Sequence, residues 1–276
     1  MAEKVLVAWA LGKHEIEYRW VNLEASAGRV MVFLHEGLGS ASLWRDFPER
    51  LCRRLGLRGL VFSRWGYGAS TPRLPHERWG PDFMHRQALE FLPSFLAALQ
   101  IDPRDRQVWF YGHSDGGSIA LIYAAHHPDA LKGLIVAAPH VLVEEITLES
   151  IRKARQAYLQ ADLKARLARY HSDPDSAFFG WCDAWLDPAF RSWDIRDLLP
   201  RIRAPILAIQ GYDDEYGTML QIEEIARLAP RVELLKLPRC RHSPHRDQPE
   251  AVMEAVERFF HAHGWMGGRG GAPAKP

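Results

Sequence analysis

The sequence predicts an α/β fold, with a mostly parallel central sheet of about eight strands and helices on both faces of that sheet. Three observations support the prediction: short apolar runs alternate with helical patterns, most runs are apolar at every position, and Gly-rich polar turns follow several of them. Strands of a parallel sheet are covered on both faces, which requires this continuous apolarity. Only residues 141–200 break the alternation, and a small helical insertion is predicted there.

The predicted elements follow one another in a regular order along the chain. Residues 5–11 and 16–23 are predicted as an edge hairpin, because the second run alternates apolar and charged side chains. Buried strands are predicted at residues 30–34, 59–62, 108–111, 131–138, 205–210 and 232–237. Helices are predicted at residues 43–55, 83–99 and 219–228, after the Gly-rich turn at 112–116, and across 252–260.

The domain prediction follows from these elements. One core is expected to comprise residues 1–140 and 201–264, and residues 141–200 form a helical cap insertion. The insertion is charged in its first half and rich in aromatic side chains in its second half. Residues 265–276 are mostly Gly, Pro and Lys, so we expect a disordered tail.

Composition limits the class of partner and the compartment. The formal net charge is +1, which argues against a nucleic-acid partner, and no apolar run reaches membrane-spanning length. Cys52, Cys182 and Cys240 lack metal-ligand spacing and are interpreted as packing residues with free thiols, which is typical of a reducing compartment. We therefore expect a cytoplasmic monomer or homodimer that acts on a small-molecule substrate without a metal or another cofactor.

The most informative stretch is the turn Gly112-His113-Ser114-Asp115-Gly116, which lies between a predicted strand and a predicted helix. A Gly-x-Ser-x-Gly turn in this context is typical of a nucleophile elbow, where the serine backbone is strained and side chains at the two glycines would collide with neighbouring backbone. Ser114 would also lie at a helix N-terminus, which favours a nearby oxyanion. The alternative is a Gly-rich turn that only packs a helix closely.

A serine hydroxyl becomes a strong nucleophile only when a base accepts its proton and a third group holds that base. In this architecture the order along the chain should be serine, acid, histidine. Asp213 and Asp214 follow the predicted strand at 205–210, and His242 and His245 follow the strand at 232–237. Both pairs therefore lie at strand ends where ligands of such sheets bind.

Several segments together resemble the α/β-hydrolase-fold serine hydrolases, and in particular cap-bearing, esterase-like members. The similar segments are the elbow, His35-Glu36-Gly37-Leu38-Gly39, Arg64-Trp65-Gly66-Tyr67-Gly68-Ala69-Ser70, Gly211-Tyr212-Asp213-Asp214 and Arg241-His242. The chain departs from the family pattern at Glu36 and Arg241, where glycine is usual, and at Ser63, where aspartate is common.

The resemblance implies a role for each matching residue. Ser114, Asp214 and His242 would form the catalytic triad, with Asp213 and His245 as the alternatives for acid and base. The N–H groups of Asp115 and Gly37 would form the oxyanion hole, with Leu38 as the alternative to Gly37, and no metal or other cofactor is implied. Candidate substrate contacts are Glu36, Leu38, His113, Trp181, Trp185 and His245. Of these, His113 is expected to point into the core beside the elbow, and Glu36 is equally a brace of its loop. His245 is alternatively a cap of the last helix, and the two tryptophans equally form a small core of the insertion itself.

The function expected from the resemblance is hydrolysis of a small carboxylic ester, thioester or lactone through an acyl-enzyme. A carbon–carbon bond hydrolase of ring-cleavage products and a proline-type aminopeptidase are alternatives that use the same triad. Related dehalogenases and epoxide hydrolases use aspartate at the elbow, which Ser114 argues against. From another class, a small-molecule receptor on the same fold would bind under the cap without rapid turnover.

Overall fold

The computed structural model describes residues 2–266 and contains one eight-stranded sheet, in the order β1-β2-β4-β3-β5-β6-β7-β8. Strand β2 pairs antiparallel with both β1 and β4, and the other neighbours pair in parallel. The predicted fold class is therefore confirmed. The strands are β1 Glu3–Trp9, β2 Gly12–Val21, β3 Arg29–Leu34, β4 Arg58–Phe62, β5 Gln107–His113, β6 Gly133–Ala137, β7 Ile206–Gly211 and β8 Val232–Leu237.

Helices cover both faces of the sheet and also build the segment between β6 and β7. The helices are α1 Phe47–Leu55, α2 Phe83–Arg86, α3 Leu92–Ala98, α4 Asp115–His126, α5 Glu145–Gln160, α6 Leu163–Leu167, α7 Pro174–Leu186, α8 Leu220–Leu228, α9 Pro244–Asp247 and α10 Pro249–Ala262. The segment predicted as a cap insertion, residues 141–200, contains α5, α6 and α7.

The buried strands divide their side chains between two apolar cores, because successive residues of a strand point to opposite faces. In β3, Val30 and Val32 belong to the core that includes α4, whereas Met31 and Phe33 belong to the core under α1 and α10. The continuous apolar runs in the sequence therefore correspond to strands that are buried on both sides.

Parallel pairing brings the loops that carry chemistry to one edge of the sheet. The carboxyl ends of β3, β5, β7 and β8 all lie at this edge, and Phe33 of β3 pairs with Tyr111 of β5. The loops after these four strands contain Glu36 and Gly37, Ser114, Asp214 and His242 respectively. Residues distant in sequence therefore become neighbours at one place.

Two predicted helices are interrupted in the structure. The helix expected at 43–55 is a 3-10 turn followed by α1, and Arg45 between them has a φ of 53°. The helix expected at 83–99 contains a π-helical segment, Gln87–Phe91, between α2 and α3. Pro93 explains this interruption, because it has no N–H for the carbonyl four residues earlier and its ring crowds that carbonyl.

The C-terminal boundary differs from the prediction by at least two residues. Trp265, predicted to begin the disordered tail, packs against Trp109 and Phe260, and its carbonyl accepts a hydrogen bond from Arg29. The rest of the predicted tail, residues 267–276, lies outside the described residues. Among residues 2–266, no helix is both long enough and apolar enough to cross a membrane.

Candidate active site

Ser114 lies on a strained turn between β5 and α4. Its φ is 52° and its ψ is −122°, a conformation that a side-chain-bearing residue adopts only when the surrounding structure enforces it. A Cβ atom at Gly112 would meet the backbone of Gly116, and one at Gly116 would meet the backbone carbonyl of Leu34. The two glycines therefore allow the tight turn that raises Ser114 above the sheet edge.

The structure joins Ser114, His242 and Asp214 in one chain of hydrogen bonds. The Nε2 atom of His242 lies 2.9 Å from the Ser114 Oγ, and its Nδ1 atom lies 2.9 Å from each carboxylate oxygen of Asp214. Because a carboxylate only accepts, Nδ1 carries the proton of the neutral imidazole, and Nε2 is left to accept from the serine hydroxyl. This is the tautomer that a general base for Ser114 requires.

The carboxylate of Asp214 is held by two further donors. Gln210 donates from Nε2 to Oδ2 over 2.7 Å, and the Tyr216 N–H donates to Oδ1 over 2.8 Å. Asp213, the alternative acid, is exposed, and its contact with this region is an N–H bond to the Cys240 carbonyl. The geometry therefore brings Asp214 and not Asp213 to His242.

Asp214 and His242 shift each other's pKa in opposite directions. Burial by itself raises the pKa of Asp214, but the charge and hydrogen bond of His242 outweigh it, so the pKa lies below its ordinary value. Burial likewise lowers the pKa of His242, but the Asp214 carboxylate outweighs it, so the pKa lies above its ordinary value. Asp214 is thus ionised at neutral pH and stabilises a proton on His242.

A cleft with about 420 Å³ of empty space, including its open mouth, lies over Ser114. The lining residues are Glu36, Gly37, Leu38, Ser114, Asp115, His140, Thr147, Ile151, Trp181, Trp185, Tyr216 and His242. Trp181 of α7 lies directly against Gly37, where a Cβ atom would collide with its indole ring. The segment 141–200 therefore forms one wall of the cleft, and the candidate oxyanion residues Gly37 and Asp115 lie beside Ser114.

Asp115 connects the elbow to α7 through its side chain. Its Oδ1 atom accepts a hydrogen bond of 3.1 Å from the Trp185 indole N–H, and Arg64 approaches its Oδ2 atom to 3.9 Å. All three side chains are almost fully buried. Burial raises the pKa of Asp115 in spite of the nearby guanidinium of Arg64. The residue after the candidate nucleophile is therefore fixed from both the core and the segment above it.

The structure places two of the predicted substrate contacts outside the cleft. His113 and His245 are buried, and neither belongs to the lining. His113 faces the His242 carbonyl, and His245 packs between Trp44 and His113. The prediction of substrate contact is therefore corrected for both residues, because the end of β5 and the helix α9 direct their rings into the protein. The expected position of His113 in the core beside the elbow is confirmed. Burial and the neighbouring His113 also hold the pKa of His245 well below its ordinary value.

The match to one family profile covers most of the chain. The profile, described as Alpha/beta hydrolase family, matches residues 31–255, which include Ser114, Asp214 and His242. The chain belongs to this family.

Named relatives in this hydrolase family are distant in sequence. The sn-1-specific diacylglycerol lipase ABHD11 of Mus musculus is 25% identical over 257 residues, which cover 83% of this chain and 80% of the relative. Serine hydrolase BPHL of Mus musculus is 26% identical over 230 residues, which cover 78% and 74%. The crystal structure of VinJ has a TM-score of 0.72 at 23% identity, with 94% of this chain and 98% of VinJ covered. A thermophilic esterase from Thermogutta terrifontis has a TM-score of 0.68 at 19% identity, with 95% and 99% covered.

Four residues of the hydrolase cleft were not predicted from the sequence: His140, Thr147, Ile151 and Tyr216. His140 is buried beside Trp185 and His242, and burial together with the neighbouring His242 lowers its pKa to about 3. It is therefore a neutral imidazole in the wall of the cleft. One signal was available in the sequence, because His140 lies three residues after the end of β6 and so at the carboxyl edge of the sheet.

Proposed function

We propose that this protein is a serine hydrolase that cleaves a small carboxylic ester, thioester or lactone through an acyl-enzyme. The observation that carries the proposal is the hydrogen-bonded chain from Ser114 Oγ through His242 to Asp214, each link 2.9 Å long. A nucleophile, a base and an acid that orients the base are the groups this chemistry needs. Membership of a hydrolase family agrees with it.

In the proposed mechanism, Ser114 Oγ attacks the substrate carbonyl carbon while its proton passes to His242 Nε2. The carbonyl oxygen becomes an oxyanion and accepts hydrogen bonds from the N–H groups of Asp115 and Gly37. The carbon–leaving-group bond then breaks, and the proton on His242 passes to the leaving group. A water molecule gives its proton to His242 and attacks the acyl carbon, and the proton returns to Ser114 Oγ as the acid product departs.

The walls of the cleft support a small, largely apolar acyl group. Leu38, Ile151, Trp181 and Trp185 supply apolar surface beside Ser114. Trp181 also closes the space over Gly37, which limits the bulk that fits next to the oxyanion position. Short acyl chains are therefore the preferred class in the proposal.

A substrate panel tests the proposed function. Purified protein would be assayed against p-nitrophenyl esters of increasing acyl length, short-chain thioesters, lactones and anilides, with Ser114→Ala as the matched control. The proposal predicts hydrolysis of short-chain esters, a burst of p-nitrophenol equal to the enzyme concentration when deacylation is slow, and no hydrolysis by Ser114→Ala. Equal rates for both proteins would overturn it.

An aminopeptidase is the second candidate, and one observation favours it. The described lining of the cleft includes two acidic residues, Glu36 and Asp115, and neither Lys nor Arg. Such a lining suits a substrate with a free amine. Glu36 is already paired with His113 and with Arg246, which is why ester hydrolysis is the first proposal. Faster cleavage of amino-acyl anilides than of their N-acetylated forms would reverse the order of the two.

A further inference from the structure

A second acid–histidine pair lies behind Ser114, between Glu36 at the edge of the cleft and the buried ring of His113. Glu36 Oε2 is 3.3 Å from His113 Nδ1, and His113 Nε2 is 2.6 Å from the backbone carbonyl oxygen of His242. The His113 side chain is fully buried, whereas 17% of the Glu36 side chain is exposed. The loops after β3 and β8 are thereby joined to the last residue of β5 by two hydrogen bonds.

The partners of His113 determine where its protons lie. A backbone carbonyl only accepts, so the short contact with the His242 carbonyl requires a proton on Nε2 of His113. The other nitrogen, Nδ1, faces the carboxylate of Glu36.

The charged surroundings keep Glu36 ionised. Burial by itself raises the pKa of Glu36, but the hydrogen bond and charge of His113, followed by Arg246 at 3.7 Å, hold that pKa well below its ordinary value. The other titratable rings that face His113 are His245 and His242, with ring centroids 4.8 and 5.2 Å away. His245 is a neutral ring, because its pKa lies well below its ordinary value.

We propose that Glu36 and His113 are positioning residues for His242, fixing the backbone of the base while Asp214 fixes its ring. This inference rests on the proposed function, since it assigns the pair a task in that reaction. His242 lies in the loop between β8 and α9, and its Nε2 must stay within hydrogen-bond reach of Ser114 for proton transfer. The His113 bond anchors the carbonyl of the same residue from below. Because His113 directly precedes Ser114 in the chain, this hydrogen bond fixes the position of His242 relative to Ser114.

The anchor predicts a specific pattern of loss. His113→Leu removes the donor and leaves the carbonyl of His242 without its partner, whereas His113→Gln places an amide N–H near the former Nε2 atom. Displacement of a catalytic group by about 1 Å can cost about 10²-fold in rate. We expect His113→Leu to lower kcat by about 10- to 100-fold with little change in KM, and His113→Gln to recover most of that loss.

The experiment compares wild type, His113→Leu and His113→Gln by the rate at which a fluorophosphonate modifies Ser114, across pH 5 to 9. Slow labelling of the Leu variant at every pH, with recovery in the Gln variant, supports the positioning role. Labelling of the Leu variant at the wild-type rate overturns it, and so does equal loss in both variants, which indicates a packing role only.

A measurement without catalysis separates this inference from the proposed function. Nitrogen-15 histidine spectra of the Ser114→Ala protein report the protons on each ring directly, whether or not the wild type is an enzyme. A proton on Nε2 of His113 supports the hydrogen bond to the His242 carbonyl. A neutral His113 with a bare Nε2 overturns the inference, even if wild-type Ser114 reacts. Failure of wild-type Ser114 to react overturns the proposed function, and with it the task assigned to the pair.

Discussion

The two acid–histidine pairs of this protein, Asp214–His242 and Glu36–His113, lie at the same sheet edge. Their imidazole rings differ in the partner that the far nitrogen meets. In Asp214–His242, the far nitrogen of the imidazole meets the hydroxyl of Ser114 and the ring lines the cleft. In Glu36–His113, the far nitrogen meets the carbonyl of His242 and the ring is fully buried. One pair is directed at a group that can lose a proton, and the other at a group that can only accept one.

The difference shows that residue type alone does not assign a histidine to chemistry. A histidine acts as a base only if its unprotonated nitrogen reaches a group with a transferable proton, which His242 does. His113 also has an acid beside it, 3.3 Å away, yet its proton on Nε2 is donated to a carbonyl. Its role in the proposed reaction is therefore to hold His242 in position.

The largest expected effect distinguishes Asp214, the acid of the Asp214–His242 pair, from its sequence neighbour Asp213. Asp214→Asn should reduce kcat by about 10⁴-fold, because the amide favours the wrong tautomer of His242 and removes the charge that stabilises its protonated form. Asp213→Asn is the matched control and should retain wild-type activity, because Asp213 is exposed and contacts neither histidine through its carboxylate. Kinetics of ester hydrolysis for the two variants would measure the contrast. Comparable losses in both would mean that the carboxylate contact is not what activates Ser114.

The second prediction concerns how labelling of Ser114 depends on pH through the Asp214–His242 pair. The pKa of His242 is raised above its ordinary value of 6.5, and a protonated imidazole does not accept the proton of Ser114. Labelling of Ser114 should therefore fall as pH decreases, with a midpoint above 6.5, and by about tenfold for each further pH unit below it. In Asp214→Asn the midpoint should move downward, because burial then acts on His242 without the opposing carboxylate. A midpoint that stays in place would contradict the role of Asp214.

The smallest effect is expected for Glu36, the acid of the Glu36–His113 pair. Glu36→Gln keeps a side chain that bonds to His113 but removes the charge, so the carbonyl of His242 keeps its donor. We expect a reduction in kcat of about tenfold or less, with the pH midpoint shifted down slightly because one negative charge near His242 is lost. Steady-state kinetics against pH would measure both. A loss as large as that of Asp214→Asn would erase the distinction between the two pairs.

The fold and the Asp214–His242 pair could be predicted because the sequence patterns that indicate them are local. Continuous apolar runs marked the parallel strands, and the Gly-His-Ser-Asp-Gly turn marked Ser114. Asp214 and His242 followed from the order of strand ends along the chain, although the choice between Asp213 and Asp214 needed the contact with the imidazole.

The Glu36–His113 pair could not be predicted, because it depends on which atoms of residues far apart in the sequence face each other. Glu36 and His113 are 77 residues apart, and His113 and the carbonyl of His242 are 129 apart. No spacing rule relates them. The place of His140 in the cleft also depends on packing between elements that the hydrophobic pattern does not specify.

The central claim is that His242 activates Ser114, and one measurement tests it without choosing a substrate. Wild type, Ser114→Ala and His242→Ala would be treated with a fluorophosphonate and their intact masses recorded. The account predicts a single adduct on the wild type, none on Ser114→Ala, and labelling of His242→Ala slower by several orders of magnitude. Equal labelling of wild type and Ser114→Ala would contradict this claim. A folded wild type that gains no adduct would also contradict it, and would favour a receptor that binds a small molecule in the cleft without turnover.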